Sequence, residues 1–448
     1  MSESANPGDP EADDGAADDL PGKKRPEAEG GATEIGGRIS SRSPTNELGQ
    51  RWAASLWPSL LEKELGRHVA SLFPSAAPAD VMGLGMGGAA PIWNLLTTKN
   101  FFFQTRSRQE DFEETEPEPS SYSDRLTSPA DYFAETEVPI NSMDDLHRAV
   151  RVLTDKALSV PLVWRGQQRA EWGMHSSLFL KLMRINGVKA PRGVPTGKQP
   201  YPTEDQMVDA EKAILKVARD SWRFAGLSAL EIFARLQHQG APTRLLDVTR
   251  NPYIAAWFAV EAHDEHDDHD ARLFALATTP VPKAGNTVGD DDLFRLLSGS
   301  LDPFWHSLDS AAKRQELDWG TGSNRRVWIP PEYDPRIAAQ NAAFVLDGVP
   351  MISSRTGSYF KTNDGHYWSK ADQLASSSIY ARMLSPTRKP KPNAPGLAPT
   401  FSFRIHQKAK LQIRQMMERR FGYSRATIYP DIAGLAQHIN ATFGEIVS

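Results

Sequence analysis

The chain has 448 residues, 40% of them apolar and 24% charged, enough for a sizeable core. It contains no cysteine, which excludes disulfide scaffolds, thiolate nucleophiles and Cys-ligated zinc or iron–sulfur centres. Its 51 Lys+Arg against 56 Asp+Glu give a net charge of −5, too weak a bias for the whole molecule to follow nucleic acid or an acidic membrane. No apolar stretch approaches the ~20 residues of a membrane-spanning helix, and the start lacks the basic and apolar regions of a secretory signal. A cytoplasmic protein without membrane contact is expected.

Residues 1–50 hold no Phe, Trp or Tyr and read as a disordered acidic tail that cannot offset its ordering entropy. Residues 51–130 read as a helical and irregular connector that offers a surface to a protein partner. It carries Leu61, Leu65, Val69 and Leu72 at helical spacing, the run Phe101-Phe102-Phe103 and an acidic, Pro- and Ser-rich stretch. The main domain is expected over 131–448, with insertions at about 186–202, 282–335 and 352–399. In chain order the patterns predict a helix over 142–158, a strand over 160–164 and helices over 204–219 and 228–239, then one that starts at Pro252. Strands follow at 272–278, 342–347 and 401–405. A helix from 406 to Phe421 stops at Gly422, Thr427-Ile428-Tyr429 reads as a short strand, and a last helix carries Ile432, Leu435, Ile439 and Phe443 on one face. The fold class is α+β: a small mixed or antiparallel sheet with flanking helices, since regular βα alternation is lacking.

Several motifs do not survive their context. Gly83 to Gly88 spells G-x-G-x-x-G without the strand and helix that a dinucleotide site needs, and Gly193 to Gln199 is a phosphate-loop pattern one residue short. His263, His266 and His269 are spaced three apart, but among so many carboxylates they read as a solvated loop, so no metal site is assigned. Three polar clusters carry more information. In Trp164-Arg165-Gly166-Gln167 an arginine follows an apolar strand and can aim a planar five-donor fork at a phosphate, while Gly166 permits close backbone approach. Gln237-His238 leads through the Gly240–Pro242 turn to Arg244 and then Asp247-Val248-Thr249, with Asn251 able to cap the next helix. Arg336 to Phe344 contains Gln340 just ahead of a strand.

At these residues the sequence resembles the FRG domain family, named for the aromatic-Arg-Gly motif that Trp164-Arg165-Gly166 supplies. The resemblance continues through Trp172, Ser176 to Phe179, Leu236 to His238, Asp247 to Thr249, Ala255 to Phe258, Gln340 to Phe344 and Thr427 to Ala436. Val248 stands where the family often has Trp and Ala342 where it often has Gly. The family implies a bacterial or phage setting, in some members anti-phage defence. A remoter likeness to ADP-ribosyltransferases implies that Arg165, Asp247, Thr249 and Gln340 form the catalytic set, with Arg165, Gly166, Gln167, His238 and Arg244 binding the nucleotide. In that likeness Arg165 grips the phosphates of NAD as substrate, Thr249 supports the nicotinamide ribose and Gln340 stands where the superfamily has glutamate. Gln cannot supply a negative charge, which Asp247 or Glu332 would then provide.

Two function classes follow: an ADP-ribosyltransferase-like or NAD-consuming enzyme, and a non-enzymatic sensor of nucleotide or nucleic acid. For the sensor, the cations between Arg404 and Arg425 could follow a phosphate backbone. Against both stands a purely structural reading, in which Arg165 pairs with Asp247 inside the domain.

Overall fold

The computed structural model describes residues 121–192, 198–283, 299–352, 354–362, 364–393 and 395–447. The chain divides into two units, Met1–Phe101 and Phe102–Ser448, and every described residue lies in the second. The expected acidic tail, most of the connector, the Gly83–Gly88 motif and most of the 193–199 loop fall outside the described residues.

Capped helices and alternating strands appear largely where the patterns place them. α1 (Pro129–Ala134) carries a capping box from Ser128, and β1 (Val138–Ile140) leads into α2 (Met143–Lys156), capped by Ser142. β2 (Leu162–Gln167) is followed by α3 (Ser177–Asn186), α4 (Glu204–Asp220) and α5 (Ala229–His238), each started by a Ser or Thr cap. β3 (Leu246–Thr249) then enters α6 (Pro252–Val260), where Asn251 accepts the Tyr253 and Ile254 N–H groups, and β4 (Ala271–Ala277) follows. After α7 (Ala311–Glu316) come β5 (Arg326–Trp328), α8 (Pro335–Ala339), β6 (Ala342–Leu346), α9 (Ser354–Gly357), α10 (Lys370–Ser376) and β7 (Arg382–Met383). β8 (Pro399–Ile405), α11 (Gln407–Met416) with a π-helical turn to Phe421, α12 (Arg425–Ile428) and α13 (Ile432–Val447) complete the order.

The eight strands form one sheet in the order β1-β8-β4-β2-β3-β6-β5, with β7 beside β8. All pairings are antiparallel except those of β1 and β7 with β8. Alternation along the strands sorts the core. Val163, Phe274, Leu276 and Val345 face one cluster with Tyr132, Phe179 and Leu374. On the other face Trp164, Leu273, Ala275 and Phe403 pack under α2, α6 and α11, while Phe344 and Leu346 pack with Trp305, Trp319 and Phe233 of the α4–α5 side. Tyr122 and Leu126 also belong to the first cluster, so the packed body takes in residues N-terminal to the expected start at 131.

One expected element is corrected. Thr427-Ile428-Tyr429 is not a strand: Ser424 and Thr427 close a capping box, which supplies the N–H partners that start helix α12 and overrides the β-branched preference. Among the described residues, no helix is long and apolar enough to cross a membrane.

Candidate functional site

The sheet parts in its middle. β2 pairs with β4 over six positions and β3 with β6 over four, but β2 and β3 share only Trp164 opposite Thr249. Beyond that pair Arg165–Gln167 and Leu246–Val248 do not pair with each other, and a cavity of about 370 Å³ is lined from both stretches. Its wall behind β2 is α6: a Cβ at Gly166 would lie 1.8 Å from the Ala255 carbonyl oxygen, so only glycine lets the helix rest on this strand.

Seven of the nine residues named for catalysis or nucleotide binding line this one cavity: Arg165, Gly166, Gln167, His238, Asp247, Thr249 and Gln340. Arg165 bridges the parted strands, donating through Nη1 to the Asp247 carbonyl at 2.7 Å. The Asp247 carboxylate is 3.9 Å away and 60% exposed, so it is a weak counter-charge for a guanidinium that is 19% exposed. Arg165 Nε is buried without a partner, and burial lowers the guanidinium pKa, with Asp247 acting in the opposite sense. Gln167 donates to the Gly173 carbonyl at 3.1 Å, and its Oε1 is buried and unpartnered. This half of the cavity thus holds a buried donor and a buried acceptor left unpaired among the described residues.

Opposite β2, Thr249 Oγ1 donates to the Gln340 carbonyl at 2.8 Å and accepts the Asn251 N–H at 3.1 Å. Gln340 directs its amide to the Ile428 carbonyl at 3.1 Å, which ties α8 to α12. Both residues therefore brace the wall as well as line it. His238 is mostly buried, with Nδ1 3.8 Å from Asp334 Oδ2.

Arg244 lies elsewhere. It is buried in a second polar centre, 2.8 Å from Glu204 and 2.7 Å from Glu211. Glu211 also accepts from Trp305 Nε1, and Glu204 from Trp319 Nε1. Glu332 is exposed and does not line the cavity. The carboxylate found there instead is Glu261, just past α6, which accepts from Tyr429 Oη at 3.0 Å and pairs with Arg425 at 3.3 Å. Burial raises its pKa, while Arg425 and the Tyr429 hydroxyl act to lower it. Arg336 completes this wall, held in two contacts by Asp431 and lying 5.2 Å over the Tyr429 ring. The i+4 and i+3 spacing of Glu261 from Trp257 and Phe258 is the signal that marks it in the sequence; the strand expected over Thr427–Tyr429 gives Tyr429 none.

Most of the basic segment is engaged internally. Lys410, 1% exposed, donates to the carbonyls of Gln168, His266 and His269. Arg414 bonds the Val260 carbonyl and Asp267, Arg404 pairs with Asp270 and Glu137, and Arg425 holds Glu261. Lys408, Arg419 and Arg420 stay exposed. Of the three loop histidines, His263 and His266 come within 4.8 Å of Glu265 as a candidate ligand group, whereas His269 turns to Glu171 and Asp268. His263 Nδ1 already accepts the Glu265 N–H at 3.2 Å.

Residues 160–268 match the FRG domain. No curated protein and no solved structure matches the chain. The matched span holds β2, α5, β3 and α6, and within it lie Arg165, His238, Asp247, Thr249 and, just past α6, Glu261. Gln340, Arg336 and Tyr429 come from outside it.

Proposed function

We propose that the cavity of this FRG-domain chain binds a phosphate-bearing nucleotide through Arg165, with an NAD-like dinucleotide as the preferred substrate class. One observation carries the reading: Arg165 is a largely buried cation facing a cavity, with an unpartnered Nε and, as its carboxylate neighbour, only the exposed Asp247 side chain 3.9 Å away. A phosphate can take such a fork bidentately. Phe258, Tyr429 and Trp172 add flat apolar surface for a ring. The chemistry that fits is ADP-ribosyl transfer or NAD hydrolysis, with Asp247 or Glu261 supplying the negative charge that Gln340 lacks. A role as a bacterial or phage-defence effector goes with this reading.

Titration with NAD and with ADP-ribose, read by calorimetry, tests binding; nicotinamide release tests turnover. Saturable binding by the wild-type protein that is lost in Arg165→Ala supports the site, and equal binding by both removes it. Depletion of the NAD pool on expression in a bacterial host tests the effector role. The second reading, a nucleotide sensor without turnover, is favoured by Gln340, whose amide is already committed to the Ile428 carbonyl. Binding without nicotinamide release would select it.

A further inference from the structure

His238 ends α5 on the cavity wall, and its two ring nitrogens have different surroundings. Nδ1 is closed off from solvent without a hydrogen-bond partner among the described residues, and lies 3.8 Å from Asp334 Oδ2, a charge contact rather than a hydrogen bond. Nε2 is not closed off and has no partner among the described residues. Asp334 is itself fixed as the N-cap of α8, accepting the Arg336 N–H at 2.8 Å. The Phe344 ring lies 6.3 Å from the imidazole, centroid to centroid. The charge of the held carboxylate behind Nδ1 favours the Nδ1–H tautomer, and the open cavity before the other nitrogen leaves the Nε2 lone pair free to take a proton.

Resting on the nucleotide reading above, we propose that His238 is the catalytic base of this cavity, its Nε2 accepting the proton of the water or acceptor hydroxyl that attacks the ribose C1′ of an NAD-like substrate. The C1′–N bond breaks and its electron pair neutralises the pyridinium, so nicotinamide leaves uncharged. The C1′–O bond forms as the proton passes to Nε2, and the imidazolium beside Asp334 then releases it to solvent. The charged groups around the ring are Asp334 and Arg336 of the α8 region, Asp247 of β3 and Asp431. Burial lowers the imidazole pKa, Arg336 adds to this, and the three carboxylates oppose it; the net lowering favours the neutral ring that a base requires.

The test compares the full-length wild-type protein with His238→Ala and Asp334→Asn, measuring NAD binding by calorimetry and nicotinamide release against pH. In His238→Ala, turnover should fall by on the order of 10²–10⁴, far more than any loss of NAD affinity from the truncated cavity wall, and imidazole added to the buffer should restore part of it. Asp334→Asn keeps a good helix cap; it should lower kcat with KM unchanged and move the acid limb of kcat to lower pH. A limb arising from Glu261 would not move in that variant. Wild-type turnover in His238→Ala, a loss that imidazole does not rescue, or wild-type binding of NAD with no nicotinamide release would each overturn the base while leaving the binding reading standing. Failure of the wild-type protein to bind either NAD or ADP-ribose would overturn both.

Discussion

Arg165 and Arg244 show how two arginines of one domain can be set to opposite tasks. Arg244 is enclosed by Glu204 and Glu211, all three at most 4% exposed, so truncating it strands two buried carboxylates. Arg244→Ala should cost ~3–5 kcal/mol. Arg165 donates to a backbone carbonyl and faces a carboxylate that keeps its water, so Arg165→Ala should cost about 1 kcal/mol. Urea unfolding of the two variants measures the contrast. Equal losses, or strong coupling between Arg165→Ala and Asp247→Ala in a double-mutant cycle, would make Arg165 a structural residue after all.

Asp347 gives the pH dependence. It is 3% exposed; Oδ1 accepts the N–H groups of Gly320 and Gly348, and Oδ2 is buried without a partner. Burial pushes its carboxyl up to about 6, with those N–H groups and the charges of Arg326 and Arg325 only partly offsetting this. An unfolded aspartate titrates near about 3.9, so between these values the native state holds a proton that the unfolded chain has released. The linked stability is full below the unfolded value and lost as pH rises through the folded one. Asp347→Asn does not titrate, so its stability relative to wild type should rise by about 2–3 kcal/mol between pH 4 and pH 7. Parallel urea midpoints for the two proteins across that range would refute it.

At the scale of elements, the site is made by a strand pair that stops pairing and by a helix that rests on it. α6 can approach β2 only because Gly166 has no side chain, and the contact is to helix backbone, which cannot rotate away. Gly166→Ala should therefore destabilise by roughly 1–3 kcal/mol or more through displacement of α6. It should also weaken nucleotide binding, because Phe258 and Glu261 move with the helix. Thermal melting together with the NAD titration checks both; an unchanged melt would mean that α6 has room to shift.

Legibility divides at this level as well. The residues that meet at the cavity were readable because each sits where an apolar run gives way to polar side chains: Arg165 within β2, His238 at the end of α5, Thr249 at the end of β3. Arg244 fits the same description, yet its guanidinium turns into the interior, and side-chain direction after a turn is not written in spacing. β5 and β7 escaped notice because three and two residues carry no period. The parting of β2 from β3 was invisible for a different reason: register is a property of pairs of strands, and the sequence displays them one at a time.

Across the whole molecule, the matched FRG span and the folding unit are different things. Residues 160–268 contain β2 and β3, which share a single register pair. The strands that hold them in place, β4 beside β2 and β6 beside β3, both lie after the match, as does β8, which binds β4 over six positions. Each apolar cluster likewise draws on residues from both sides of the span's end, as Trp164 does with Phe403 and Phe233 with Phe344. A fragment of residues 160–268 should therefore lack a cooperative unfolding transition and bind no nucleotide. Residues 121–448, which hold every described strand and all three clusters, should melt cooperatively. Circular dichroism melts of the two chains decide the matter. A sigmoidal transition in the short fragment would mean that α3 to α6 make a core of their own, and that the sheet is added to it rather than being what the cavity is built on.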